Sequence, residues 1–561
     1  MLLVVAWDGA CFELVDPLIA AGQLPTLAAL MAGGVRRPLC STVPPATFPA
    51  WTSFMTAASP GRHGVTDFTI REDGHRLRFA NASYRSLPSI WENMSRAGAR
   101  VGVYAFPATY PPEQLNGIQV CGFDTPLGAG AAKHCTFPPD LASRLVDRHG
   151  GLGILGPQQV HIGEGWHQKA LQTMLAEVEL RTRIVEDLLS ADRYDCFAVH
   201  YAESDTVAHQ FWQFCDPRSP RYRGSRGLGE AIGEVYKALD AALGRLIAAA
   251  GPEATVMLVS DHGSGGNSDR SLFLNRLLAD QGFLQFRQGR RGRLANSAAR
   301  GLRRGALALL PARLQPALFA RMASTAAQVE GLSRLGGISW EHTRAYSEEI
   351  NYYPSVWLNI EGREPRGTVK LQDQNGLLDE VTSALLEFRD PANGLAVVAE
   401  VQRREQLFDG PYAYRAPDLI LTLADLDGYA YVLGSSRAGL EARPLRQLKT
   451  GETSGARGSS MAGGHRQLGL CVLNGPGIAS GEAPSSSLAD AGASVLALLG
   501  LGASDGADGR PWPDLKPLAQ PAPAGLSPVL EPGQAATRPQ VYSRTEEEQV
   551  AERLRALGYL S

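Results

Sequence analysis

Seven residues of this 561-residue chain have side chains suited to holding divalent cations around a hydroxyl: Asp8, Thr47, Asp205, His209, Asp261, His262 and His465. Asp205 and His209 are four residues apart, which puts a carboxylate and an imidazole on one face of a helical turn. Asp261 and His262 are adjacent, directly after the apolar run TVMLVS, and Asp8 follows LLVVAW. His465, in MAGGHRQLG, stands behind two glycines that free its backbone, and a further apolar run follows it. Taken one at a time these signals are weak, because an Asp-His dipeptide or an i, i+4 pair is most often a surface hydrogen bond. Their common position beside apolar runs is what gives them weight. Mixed aspartate and histidine ligands suit Zn²⁺ or Mn²⁺ better than Ca²⁺ or an iron-sulfur cluster. Six such ligands exceed one tetrahedral ion, so two metal ions are the economical count.

Thr47 lies in PPATFPAWTSF, between prolines and ahead of a helix-like run. A helix starting near Phe48, with Pro49 in its first turn, places Thr47 at or beside the N-cap. By itself that reading makes it only a capping residue. Beside two metals the hydroxyl gains a second role. A threonine hydroxyl is too weak an acid to attack anything at neutral pH unless a base or a metal activates it. Two ions about 4 Å apart with one hydroxyl make a phosphoryl-transfer site, and the positive helix end favours a bound anion.

These residues must be carried to one place by the surrounding elements. The runs LLVVAW, CFAVHY, TVMLVS and LGLCVLNG read as buried parallel strands. Residues 25–31 and 168–189 repeat apolar positions every three to four residues and read as helices. Alternating strands and helices imply a doubly wound, mostly parallel α/β sheet, in which ligands bind outside the carboxyl ends of the strands. From 287 to 335 the chain turns rich in Arg, Ala and Leu and reads as an inserted basic helical cap. Such a stretch could touch anionic lipid but is more often a solvated face. Residues 515–561 read as a proline- and alanine-rich linker and a terminal helix, capped by Ser543 or Thr545 and ended by Gly558. The expected domains are a catalytic one over 1–286 and 336–514, the cap over 287–335, and this tail.

A length of 561 residues accommodates one large α/β domain with insertions. The net charge of −3 gives no overall pull toward nucleic acid or anionic membranes, so a partner must be argued from local features, and the two-metal site makes a small phosphate ester the expected one. The N-terminus MLLVVAWDGA has no basic n-region or cleavage site, and its apolar run is far too short to span a bilayer; it reads as a strand of a cytoplasmic protein. Seven scattered cysteines without CxxC spacing suggest reduced thiols.

Together these segments resemble the alkaline phosphatase superfamily, and in particular its type I phosphodiesterase and nucleotide pyrophosphatase-like branch. WDGA at 7–10 resembles the first-metal aspartate turn, and TFPAWTSFMTAASPGRHGVTDF from Thr47 resembles the nucleophile helix and its following turn. ESDTVAHQFW is similar to the D-x-x-x-H ligand helix, SDHG to the paired Asp-His ligands and GGHRQLGLCVLNGPGI to the last-histidine loop. TRAYS at 343–347, VWLNIEGREPRG at 356–367, APDLILTL at 416–423 and the terminal RLRALGYL are similar to bacterial proteins described as predicted phosphohydrolases or phosphomutases. The resemblance implies one ion held by Asp8, Thr47, Asp261 and His262, and another by Asp205, His209 and His465. It also implies a phosphothreonine intermediate, in a hydrolase of phosphodiesters or phosphonate monoesters. Diester-cleaving members tend to carry an asparagine where this chain has Asp67-Phe68, and Thr56-Ala57-Ala58 replaces the usual small glycine turn. Arg62, His63 and Arg466 could meet phosphate, although His63 could equally lock its loop.

Three rival readings remain. The same site could serve a phosphomonoesterase or a phosphomutase. A formylglycine sulfatase is disfavoured, because Cys215-Asp216-Pro217-Arg218 misplaces the arginine. A non-catalytic metal-binding scaffold is disfavoured by the intact nucleophile. GLGILG at 151–156 fits a dinucleotide fingerprint but follows a helix-like stretch instead of a strand, and reads as a glycine-rich loop.

Overall fold

The computed structural model describes the chain apart from residues 72–76, 127–134, 155–164, 288–334, 336, 350–353, 437–438, 454–459, 514, 519–541, 543 and 558–561. The elements that carry the site are β1 (Leu2–Trp7), α1 (Thr47–Thr56), β2 (Cys196–Tyr201), α2 (Glu203–Cys215), β3 (Thr255–Val259), β4 (Gly263–Leu272), β5 (Gly463–Arg466), β6 (Leu468–Asn474) and α3 (Arg544–Leu557). Strand β1 is LLVVAW with every residue buried, and it lies between β2 and β3, parallel to both. A strand covered on both faces must be continuously apolar, and each fully buried Leu or Val contributes roughly 1.5–3 kcal/mol. That burial anchors the middle of the sheet and leaves Asp8 at its carboxyl edge.

The ten-stranded sheet runs in the order 481–482, 35–40, β6, β3, β1, β2, 101–104, 117–120, 136–137, with 486–487 beside 35–40. Five adjacent strands, from β3 to 117–120, are parallel. Helices 25–33 and 166–191 form where the apolar periodicity predicts them. The expectation of a parallel β6 is corrected: this strand runs antiparallel to both β3 and 35–40. The reason lies in its entry. A short ribbon, β4 paired antiparallel with β5, brings the chain back across the carboxyl edge, and with one residue between β5 and β6 the chain can only descend. His465 therefore stays at the edge where the other candidates lie.

A second hydrophobic core is built from residues 272–286 and 335–445, over a four-stranded sheet ordered 345–346, 355–358, 419–423, 398–403. Residues 345–433 fall inside the expected catalytic span 336–514 yet join this second core. The expected cap at 287–335 lies almost wholly outside the described residues. The terminal helix α3 spans the stretch expected for it, with Val550, Ala551 and Leu554 in the main core and the Arg553 guanidinium donating to the carbonyls of Phe123 and Thr125, each at 2.8 Å. Its expected caps Ser543 and Gly558 lie outside the described residues. Among the described residues no single helix is long and apolar enough to cross a membrane.

Candidate functional site

Asp8 directly follows β1, and Gly9 turns the chain there with φ +65. Besides that left-handed backbone, a Cβ at Gly9 would meet Ser264 Oγ at 2.8 Å and Asp205 Oδ1 at 2.9 Å, so only glycine fits. The Gly9 N–H donates to Asp261 Oδ1 at 3.2 Å, tying the ends of β1 and β3 together. Ser204 Oγ donates to the Asp8 carbonyl at 2.6 Å, and Ser264 Oγ to that of Gly9 at 2.7 Å. Asp8 Oδ2 accepts from Trp51 Nε1 at 3.1 Å and lies 2.9 Å from His200 Nε2. Asp8 Oδ1 is buried without a hydrogen bond, 3.3 Å from His262 Nε2.

Thr47 is the first residue of α1, with Ala46 in the N-cap position and no side-chain capping bond. The capping role that sequence alone would assign is therefore not the one the hydroxyl plays. Thr47 Oγ1 lies instead 3.4 Å from His262 Nε2. Trp51, four residues on, projects from the same helical face, so one turn of α1 brings the hydroxyl to His262 and the indole N–H to Asp8. Asp261 Oδ2 is also buried without a hydrogen bond, 3.3 Å from His262 Nε2. His262 Nδ1 lies 3.0 Å from the Gly263 carbonyl, which can only accept, so Nδ1 carries a proton and Nε2 faces the oxygens.

The second group is built by α2 and β5. Asp205 Oδ1 lies 3.1 Å from His209 Nε2, as the i, i+4 spacing predicts, and 3.6 Å from His465 Nε2. The two Nε2 atoms are 3.0 Å apart. Their Nδ1 atoms bond the carbonyls of Gly463 at 2.8 Å and Pro45 at 2.6 Å, so both rings direct Nε2 inward. Gly463 and Gly464 serve close approach more than backbone freedom: a Cβ at Gly463 would collide with the Ala208 carbonyl, and one at Gly464 would lie 2.5 Å from Asn267 Oδ1. The two groups adjoin, with the His262 and His465 rings stacked at 3.7 Å. Ligand atoms of Asp205, His209 and His465 lie within 4.8 Å of one another, as do those of Asp8, Asp205 and His262.

All seven candidates are thus brought together in a buried pocket, and its electrostatics call for positive charge. Burial and then the charge of Asp8 hold Asp261 well above the usual carboxylate range. Burial opposes a charge on His262, but Asp261 and Asp8 outweigh it and push the imidazole up to about 10. Asp8 is held well below its usual range despite burial, by hydrogen bonds and charges of His200 and His262, and Asp205 is lowered despite burial by His209 and His465. His465 goes the other way: burial, then the charge of His262, drives it well below the usual imidazole range. Neutral His465 presents a lone pair at Nε2, aimed at His209 and Asp205. Buried carboxylate oxygens without hydrogen bonds and converging lone pairs are costly unless a cation lies among them. The donor set, mixed O and N, fits divalent metals of the Zn²⁺ or Mn²⁺ kind.

The sequence model of the family described as type I phosphodiesterase / nucleotide pyrophosphatase matches residues 2–460. The chain belongs to that family. It is therefore a phosphoester hydrolase with an alkaline phosphatase-type fold. Among solved structures, phosphonoacetate hydrolase from Sinorhizobium meliloti 1021, in complex with phosphonoformate, is similar at 16% identity and a TM-score of 0.50, covering 88% of this chain and 94% of that one. Human ectonucleotide pyrophosphatase / phosphodiesterase 5 aligns at 13% identity and a TM-score of 0.45, covering 91% and 96%.

The other residues considered from sequence fare differently in this family member. Arg62 is paired with Asp409 at 2.7 Å and Asp508 at 3.4 Å. Arg466 donates to the carbonyls of Gly266 at 2.6 Å and His465 at 3.0 Å. His63 locks its loop: Nδ1 accepts from the Val65 N–H at 3.2 Å and Nε2 donates to Ser53 Oγ at 2.9 Å, while burial and then the charge of Arg85 lower its pKa to about 3. Asp67 Oδ2 accepts from Thr69 Oγ1 at 3.0 Å. Sequence reading missed His200 and Trp51, which both bond Asp8, and Asn267, whose amide donates to the Gly463 carbonyl at 2.8 Å. Most ligand candidates follow strands, whereas His200 lies within one, in register with Ala6.

Proposed function

We propose that the chain hydrolyses phosphodiesters or phosphonate monoesters with Thr47 as nucleophile and two divalent cations as cofactors. The observation that carries this reading is the position of Thr47 Oγ1, 3.4 Å from His262 Nε2, in a pocket where buried oxygens of Asp8 and Asp261 have no hydrogen bond. Asp8, Thr47, Asp261 and His262 would hold one ion, and Asp205, His209 and His465 the other. Bound there, the ions would lower the pKa of the threonine hydroxyl and offset charge on the phosphoryl oxygens.

The protein's own groups do the rest. First-turn N–H groups of α1 have no helical carbonyl to bond, and the positive end of the helix favours the phosphoryl group beside Thr47. The Thr47 oxygen forms a P–O bond as the ester's P–O bond breaks, and the threonine proton ends on the departing alcohol. Water then displaces the threonine from phosphorus, restoring the hydroxyl and releasing the acid. Two in-line displacements give net retention of configuration at phosphorus.

Diesters and phosphonate monoesters carry one negative charge where a monoester carries two. Arg62 and Arg466 are both engaged by protein groups, which leaves neither as a clamp for a dianion. The test is a panel of bis-p-nitrophenyl phosphate, a phenyl phosphonate ester and p-nitrophenyl phosphate, with native, chelated and Thr47→Ala protein. Diester or phosphonate-ester cleavage should exceed monoester cleavage and vanish on chelation. Monoester preference by tenfold, about 1.4 kcal/mol, would overturn the substrate assignment, and the stereochemistry of a chiral phosphorothioate would separate one displacement from two.

A further inference from the structure

We propose that His200 is a positioning residue, which with Trp51 turns Asp8 into a one-oxygen metal ligand and aims its free oxygen at the cation. This inference rests on the metal-dependent reading above. A carboxylate can only accept hydrogen bonds, so His200 Nε2, 2.9 Å from Asp8 Oδ2, is the donor. Trp51 Nε1 donates to the same oxygen at 3.1 Å. Two N–H groups on Oδ2 leave Oδ1 as the oxygen facing His262, whose Nε2 also lies beside Asp261 and Thr47.

His200 is itself held on every side. It is buried in β2, and its ring packs edge-on against Trp51 with centroids 5.2 Å apart and at a tilt against Phe106 at 5.6 Å. Its carbonyl accepts from Arg181 Nη1 at 3.1 Å. Arg181 in turn binds both oxygens of Glu203, at 2.8 and 3.0 Å, and donates to the Gly153 carbonyl at 2.7 Å. Glu203 begins α2, the helix that carries Asp205 and His209, so one buried guanidinium sets β2 and α2 together. The imidazole cannot turn without disturbing Trp51 or Phe106. Hydrogen bonds that orient a ligand in this way typically change metal affinity 10- to 100-fold when removed.

The test uses the full chain, stripped of metal and reloaded with Zn²⁺ alone, with affinities read by competition against a chromogenic chelator. In His200→Leu, one of two ions should bind roughly 10- to 100-fold more weakly while the other is unchanged. In His200→Gln, whose amide N–H replaces the imidazole donor, most of that loss should be recovered. Trp51→Phe should weaken the same ion and stands in if His200→Leu does not fold. A merely structural role predicts that both ions weaken alike and that Gln is no better than Leu. Wild-type affinity for both ions in folded His200→Leu, or in Trp51→Phe where that variant stands in, would overturn the proposal, as would the lack of rescue. A native protein that binds no second ion, or keeps its activity after chelation, would instead overturn the two-metal reading.

Discussion

The two ligand groups share one pocket but differ in composition. Asp8, Thr47, Asp261 and His262 offer three oxygens and one nitrogen, from the edge of the parallel sheet and the start of α1. Asp205, His209 and His465 offer one oxygen and two nitrogens, from α2 and the returning ribbon. In the oxygen-rich group, burial and the charge of Asp8 drive Asp261 upward, and the carboxylates of Asp261 and Asp8 drive His262 upward against its burial, so a proton occupies the imidazole in the absence of metal. In the nitrogen-rich group, His465 is kept neutral by burial and by the charge of His262. The difference teaches that one group must expel a proton to take an ion, whereas the other already presents a lone pair. It also puts Thr47, the proposed nucleophile, with the group of more oxygen donors, where hard cations are favoured.

Four measurements break or sharpen this contrast. Thr47→Ala should cut turnover of the best substrate by about 10³-fold or more while the nitrogen-rich group keeps its ion, as read by steady-state rates and metal analysis. Turnover within tenfold of native would remove the nucleophile from the oxygen-rich group. Next, Asp261→Asn and His209→Ala should each weaken one ion by about 100-fold or more, and not the same one, so each purified variant should hold one ion per chain. Loss of both ions in either variant would mean that the groups bind as a unit.

The third measurement is pH. His262 stays protonated up to about 10 without metal, so an entering ion displaces that proton. Affinity of the oxygen-rich group should therefore rise about tenfold per pH unit from pH 7 to 9, with one proton released in calorimetry, while the nitrogen-rich group stays nearly level. Equal slopes would erase the distinction. The smallest effect comes from His63, outside both groups. Its folded pKa of about 3 lies below the ordinary 6.5, so the folded state binds fewer protons and stability falls as pH drops below 6.5. By pH 5 the loss is about 2 kcal/mol, and thermal unfolding of His63→Gln at pH 7.5 and 5 should lack that share.

Much of the site was legible because its chemistry repeats one local rule: a ligand just beyond an apolar run. Asp8 and Asp261-His262 follow strands buried on both faces, which must be continuously apolar and so are easy to find. The Asp205 and His209 pair was legible because four residues is one helical turn, whatever the helix packs against. The antiparallel course of β6 was not legible, since an apolar run has no direction until its neighbours are known. His200 was hidden for a related reason: within a strand buried on both faces, alternation does not tell which side chain meets a ligand.

The amino-acid sequence by itself determined the family, the seven ligand candidates and the elements that carry most of them, because periodicity, burial and residue chemistry are local properties. Only the tertiary structure decided that Asp205 lies between both groups, that His465 arrives on a descending ribbon, and that Trp51 and His200 share one oxygen of Asp8. Those contacts join residues up to hundreds of positions apart, and their distances come from how the sheet, α1 and α2 pack, which no short stretch of chain encodes.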